Sequence, residues 1–397
     1  MSRILVTDAE LRSALAMVRS LGRRHEVFVA ASAHGSLATA SRFAAGERWV
    51  PSPRADCAGF RAAVEELAAG EAIDVVVPVS DAACRALLGE APRPGGARLA
   101  APSREAYERL SHKGDAARLA AAAGLGVPEG GEATSFEEAL AIARGLGWPV
   151  IVKPVRSVEP GSGGTLRSRG VVRAENETAL HGAWERAVAP GSALVQAVVP
   201  GRGEGLFLLR WEGRTRAVFA HRRLREKPPS GGVGVLCESI AVDPRLREQV
   251  EAILDACGFS GLAMAELRSD GRTRWLMEFN ARPWGSLQLA VDAGVDFPAL
   301  LVEAVLGSPP GPVPRFAAGV RSRWLLGDLD HALALARGAR GFDGRSGVGA
   351  ALSVLLRPAG PHCRWDNPRR GDLRPFAREL RDWLRASFAS GDRGQTS

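Results

Sequence analysis

Two apolar segments joined by a tight turn carry four polar side chains at regular spacing. Gly261-Leu262-Ala263-Met264-Ala265-Glu266-Leu267-Arg268 and Trp275-Leu276-Met277-Glu278-Phe279-Asn280-Ala281-Arg282 flank Asp270-Gly271, a dipeptide suited to a hairpin connection. Side chains alternate along a strand, so Glu278, Asn280 and Arg282 share one face. Pairing across the turn sets Glu266 beside them. Oxygen ligands converging on one face suit Mg²⁺, and a neighbouring guanidinium suits a phosphate held by that metal. The hairpin therefore predicts a site for Mg·ATP.

The lysines sharpen this reading. The chain has 52 Lys plus Arg, yet only Lys113, Lys153 and Lys227 are lysines. Lys113 opens a helix in Ser111-His112-Lys113-Gly114-Asp115, with His112 read as incidental. Lys153 ends an apolar strand in Pro149-Val150-Ile151-Val152-Lys153-Pro154. A compact ammonium on a flexible stem binds phosphate oxygens as a point charge. One isolated lysine is usually a solvated surface charge. Two in these settings, upstream of the acid–acid–Asn–Arg array, favour a phosphate role.

Over about residues 1–310 these motifs together resemble the ATP-grasp superfamily. Within it the chain looks most like predicted carboxylate ligases related to the large subunit of carbamoyl-phosphate synthetase. The resemblance implies that Lys113 and Lys153 contact ATP. It makes Gly161-Ser162-Gly163-Gly164, with Ser168-Arg169-Gly170, a flap over the phosphates, where Gly163 and Gly164 supply backbone N–H groups. It implies an adenine-reading hinge at Leu194-Val195-Gln196-Ala197-Val198-Val199-Pro200-Gly201, contacted through Gln196, Ala197 and Val199. Glu204 matches the acid that holds the ribose hydroxyls. Glu266, Glu278 and Asn280 match the Mg²⁺ (or Mn²⁺) ligands, and Arg282 lies beside the γ-phosphate. The acids stand 12 residues apart, an interval that family uses. Ala197 stands where many relatives have Glu, which leaves the contact to adenine's amino group to backbone carbonyls.

Composition is consistent with this and excludes other classes. A chain of 397 residues predicts two or three domains. The N-terminus reads as a short strand followed by acids rather than a signal peptide, and no apolar run is long enough to span a membrane. Five scattered cysteines without a CxxC pair predict reduced thiols and a cytoplasmic protein. The net charge of +8 comes from arginines interspersed with acids, without an aromatic-interleaved basic run, so nucleic acid is not the expected partner. A homodimer is the default expectation for assembly.

The expected fold is α/β and α+β in three regions. Residues 1–105 alternate short apolar strands with helical text such as 60–69, which predicts a parallel sheet with helices on both faces. The first strand meets Thr7-Asp8-Ala9 rather than GxGxxG, which counts against a nicotinamide enzyme. Residues 91–96 read as a loop. Residues 106–310 predict the two α+β halves that close on ATP, with a helix from Pro244 to about Cys257 and another over 287–293, led by Ser286 as an N-terminal helix residue. Residues 311–397, Pro-rich at first, predict a small accessory lobe with a strand at 320–325 and a last helix over 375–388. Asp366-Asn367-Pro368 reads as a turn.

His221-Arg222-Arg223-Leu224-Arg225-Glu226-Lys227 is the densest basic run, read as an anion-binding wall in which Arg225 joins Arg282 in catalysis. The expected function is an ADP-forming ligase that activates a small-molecule carboxylate as an acyl phosphate and joins it to an amine or thiol. Two alternatives stand beside it: a carboxylase or carbamoyl-phosphate-type enzyme that uses bicarbonate, and a non-catalytic ATP-binding sensor.

Overall fold

The apolar runs near the N-terminus form strands covered on both faces, as continuous Val, Ile and Leu text requires. The computed structural model describes residues 1–397 except 89–93, 188–190, 309, 310, 312, 357–359, 361 and 392–397. Strands β1 (Arg3–Val6), β2 (Glu26–Ala31), β3 (Gly46–Trp49), β4 (Val75–Val77) and β5 (Arg98–Leu99) lie in the order β3-β2-β1-β4-β5, every pairing parallel. Polar side chains start two of the helices between them. Asp56 accepts the Gly59 N–H at 2.8 Å ahead of the Cys57–Gly70 helix, and Ser80 accepts that of Ala83 at 3.0 Å ahead of Asp81–Leu87. Of the loop expected at 91–96, residues 91–93 lie outside the described residues and Pro94–Gly96 form a short 3-10 turn.

The middle of the chain builds two antiparallel units. β6 (Gly130–Ala133) and β7 (Val150–Pro154) are followed by a small hairpin of β8 (Glu159–Pro160) and β9 (Leu166–Arg167), then by β10 (Val172–Ala174) and β11 (Ala193–Ala197). Four of these make a sheet in the order β10-β7-β11-β6. The larger sheet contains β12 (Arg202–Trp211), β13 (Arg214–Lys227), β14 (Val233–Ser239), β15 (Gly261–Ser269), β16 (Arg274–Asn280), β17 (Arg321–Arg323) and β18 (Cys363–Trp365), in the order β16-β15-β12-β13-β14-β17-β18.

Alternation along these strands serves two cores. Phe207, Phe219, Met264 and the following Trp284 pack with Ile4, Val6 and Met17 of the N-terminal unit. Leu206, Leu208, Ala263 and Leu267 point the other way, onto Leu246, Val250 and Ile253 of the Pro244–Ala256 helix. That helix begins as the sequence predicts, with Pro at its start and the Asp243 carboxylate accepting the N–H groups of Arg245 and Leu246.

The chain beyond residue 310 is continuous with the large sheet. β17 pairs antiparallel with β14, and β18 pairs parallel with β17. The strand expected over 320–325 spans only Arg321–Arg323, because the helix Leu325–Ala336 begins at once. Asp366-Asn367-Pro368 is a turn clamped by the first helix. Arg12 pairs with Asp366 at 2.7 Å, and Arg19 donates to the carbonyls of Asp366 and Asn367. The last helix runs Arg374–Gly391. All five cysteines are free, and among the described residues no helix is long and apolar enough to cross a membrane.

Candidate active site

The Asp270-Gly271 turn brings the two acids together. Glu266 and Glu278 are direct partners in the β15–β16 ladder, and Met264 faces Asn280 two residues along. One irregularity matters: the register slips between Glu266 and Leu267, which then pairs with Leu276, leaving Met277 as an extra residue. The carbonyl of this bulged residue accepts the Lys153 ammonium at 3.1 Å.

Glu278 sits among cations. Lys113 Nζ lies 3.2 Å from its Oε2, and Ser157 Oγ donates to the same oxygen at 3.3 Å while accepting from Lys113 at 2.9 Å. Burial acts to raise the Glu278 pKa, but Lys113, Lys153 and Arg282 together outweigh it and hold the carboxyl below its usual range. Lys153 is 6% exposed. Burial pulls its pKa from 10.5 down to about 8, with Glu278 opposing the shift. Lys113 begins the Lys113–Ala122 helix, which His112 caps by accepting the Asp115 N–H at 3.2 Å. His112, read as incidental, thus helps present Lys113.

Glu266 is gripped by Arg223, whose two terminal nitrogens lie 2.9 Å from its two oxygens. Arg282 donates to Asn280 Oδ1 at 2.8 Å and pairs with Asp81 at 2.8 Å, which ties the N-terminal unit to β16. Burial opposes the Arg282 charge, but Asp81 more than compensates and raises its pKa.

The cleft beside Glu266, Glu278 and Asn280 encloses about 180 Å³ and is also lined by Arg12, His221, Arg223, Arg282 and Trp284. Sequence reasoning placed His221 only in a basic run. Both ring nitrogens of His221 and the Trp284 indole N–H are buried without a partner. Burial and the adjacent Arg223 push the His221 pKa down to about 3, so the ring is neutral. Unpaired buried polar atoms around a cavity are costly unless a ligand or water satisfies them.

Two predicted residues fall elsewhere. Arg225 does not join Arg282: it makes a two-pronged pair with Asp328, at 2.6 Å for each nitrogen–oxygen contact. Strict alternation puts Arg223 and Arg225 on one face. The register shift between them pairs Arg223 with Cys237 but Arg225 with Leu236, and these neighbours face opposite ways. The rest of the basic run is dispersed too: Arg222 pairs with Glu238 and Lys227 with Asp330. Glu204 pairs with Arg274 at 2.8 Å. Its ladder partner is Leu267, whereas Gly205 opposes Glu266, so the pleat turns Glu204 to the other face from the acids.

The flap and hinge residues lie on the small sheet and its connections. Ser162–Gly164 form a 3-10 turn at the tip of the β8–β9 hairpin. Gly163 and Gly164 have φ of 65° and 75°, and a Cβ on either would meet nothing within 4 Å, so backbone conformation rather than space calls for glycine. The Leu166 N–H donates to the Arg54 carbonyl at 2.7 Å, docking this hairpin on the N-terminal unit. Gln196 and Ala197 end β11, and Val199 lies in the link to β12.

Residues 193–327 match a family model described as ATP-grasp in the biosynthetic pathway with Ter operon. An ADP complex of N5-carboxyaminoimidazole ribonucleotide synthetase aligns with a TM-score of 0.65 at 15% identity, covering 89% of this chain and 95% of that one. The chain has the ATP-grasp fold. The same fold appears in biotin carboxylase from Campylobacter jejuni, with a TM-score of 0.62, 18% identity and 81% and 74% coverage of this chain and that one. It also appears in the biotin carboxylase domain of Hydrogenobacter thermophilus 2-oxoglutarate carboxylase, with a TM-score of 0.61, 16% identity and 79% and 72% coverage. No curated protein matches the sequence. The specific likeness to the carbamoyl-phosphate synthetase large subunit is not shown by these matches.

The donor set of this cleft fits magnesium delivered with a nucleotide. Mg²⁺ is typically held by one or two carboxylates plus substrate phosphates and water, not by an all-protein cage. Glu266, Glu278 and the Asn280 amide supply that set. Among the described residues no group of three or more His, Cys, Asp or Glu forms a cage, and this mode of binding needs none.

Proposed function

We propose that the protein is an ATP-dependent, ADP-forming ligase that joins a small carboxylic acid to an amine, or to a thiol, through an acyl phosphate. The observation that carries this reading is the direct pairing of Glu266 with Glu278, beside Asn280, Lys113, Lys153 and Arg282, in an ATP-grasp fold. Glu266, Glu278 and the Asn280 carbonyl would hold Mg²⁺, which when bound neutralises charge on the triphosphate. Lys113 and Lys153 would bind phosphate oxygens, and the hairpin tip at Gly163 and Gly164 would cover them. Gln196, Ala197 and Val199 would line the adenine end.

A carboxylate oxygen of the substrate attacks the γ-phosphorus, and the bond to the ADP oxygen breaks. The amine nitrogen then attacks the acyl carbon, the carbon–oxygen bond to phosphate breaks, and the amine loses a proton. Carboxylate and triphosphate repel one another, so the chain's contribution is chiefly charge compensation and alignment. Arg282 and Arg12 supply the first within the cleft. Holding the acid in line contributes about 7 kcal/mol or more. Closure of the hairpin keeps water from the acyl phosphate. Neutral His221 and the Trp284 N–H offer hydrogen bonds to an uncharged part of the substrate, and about 180 Å³ of space favours a small acid.

Libraries of acids and amines, screened with Mg·ATP for phosphate release, test this reading. ADP and phosphate released only with a matching pair supports it; AMP and pyrophosphate contradict it. A second reading, carboxylation with bicarbonate as the acid, gains weight from one observation. The 2-oxoglutarate carboxylase domain of similar fold was captured with MgADP and bicarbonate. ATP consumption driven by bicarbonate without an organic acid selects that reading. Binding of Mg·ATP without turnover under any pair leaves a sensor.

A further inference from the structure

A second, larger cavity lies on the opposite face of the large sheet from the acids. It encloses about 300 Å³ between β13, β14 and the helices Leu325–Ala336 and Gly347–Leu356. Leu236 lines it, whereas the next residue, Cys237, lines the cleft of Glu266 and Glu278. Adjacent residues of a strand face opposite ways, so the two cavities are separated by the sheet itself.

The walls combine strong positive charge with apolar surface. Four guanidiniums, Arg202, Arg225, Arg321 and Arg345, face one carboxylate, Asp343. Asp328 and Glu238 already hold Arg225 and Arg321. The Arg202 side chain makes no hydrogen bond or ion pair among the described residues, and Arg345 is 3.9 Å from Asp343. The charge left over is positive, and Leu335 and Phe342 supply an apolar side. An anion gains charge-assisted hydrogen bonds here, its apolar body gains from leaving water, and a cation is repelled.

We propose that this cavity binds an amphipathic organic anion, a carboxylate or phosphate monoester carried on an apolar body. It cannot be the phosphoryl acceptor, because the sheet separates it from the acids. Arg202 directly follows the link between the two antiparallel sheets, so the ligand bridges that link to the turn carrying Arg345. The proposal does not depend on the ligase reading.

Calorimetric titration of the full chain with octanoate, octyl phosphate and octylamine tests it. Saturable one-to-one binding of either anion is expected, and whichever binds tighter names the headgroup. Octylamine is expected not to bind. The double variant Arg202→Gln/Arg345→Gln should weaken anion binding by about tenfold. Mg·ATP affinity, measured on the same variant, should stay at the wild-type value, which verifies that the variant is folded. Absence of saturable anion binding, equal binding of octylamine, or unchanged anion affinity in the double variant overturns the proposal.

Discussion

On the proposed reading, Lys153 would make nucleotide binding pH-dependent in a range where a solvated lysine does not titrate. Its ammonium is buried, held by the Met277 carbonyl, and its pKa is about 8. In protein without nucleotide, at pH 9, roughly nine-tenths of these side chains have lost their proton, by a one-unit excess over the pKa. A triphosphate binds the charged form, so binding must restore the proton at a cost of about 1.4 kcal/mol. The Kd for Mg·ATP is therefore expected to rise about tenfold from pH 7 to pH 9. Calorimetry at constant ionic strength measures this directly. Lys153→Met should bind more weakly at pH 7 and lose the slope. A flat wild-type profile, or the same slope in the variant, refutes the reasoning. The sign is opposite for folding. The unfolded lysine keeps its proton up to 10.5, above the folded value of about 8, so this site adds stability as pH rises between those values.

Glu278→Gln should lower turnover by about 10²-fold or more while leaving the circular dichroism spectrum unchanged, and wild-type phosphate release would remove Glu278 from the site. Asp328→Asn should cost about 3–5 kcal/mol in urea unfolding, because Arg225 and Arg323 both lean on this fully buried carboxylate. Unchanged stability with lost turnover would return Arg225 to the chemistry. His221→Leu should keep or gain stability, since neither ring nitrogen has a partner, yet should lower turnover of the matched acid. Lost stability with full turnover would show that the ring serves folding instead.

The pairing of Glu266 with Glu278 was legible because a turn dipeptide and a period of two together fix a hairpin register. The parallel first sheet and the Asp243-Pro244 helix start were legible for similar local reasons. Bulges were not. The extra residue between Arg223 and Arg225 leaves no mark in a run of charged side chains, and it decides which arginine meets Glu266. Glu204 failed similarly: its neighbour Gly205 takes the face of the acids, and Arg274 from another strand claims the carboxylate. The joining of β17 and β18 to the large sheet rests on contacts distant in sequence, which short strand text does not specify. His221 and Trp284 escaped because their unsatisfied nitrogens are properties of packing. A weak signal existed for His221, which leads the basic run that supplies Arg223.

A crystal structure with Mg²⁺ and a non-hydrolysable ATP analogue tests the central claim most directly. The account predicts a metal bridging the analogue's phosphates to Glu266, Glu278 and Asn280, with Arg223 displaced from its two-pronged hold on Glu266. A nucleotide bound elsewhere, with Arg223 still on Glu266 and Lys113 still on Glu278, would contradict it.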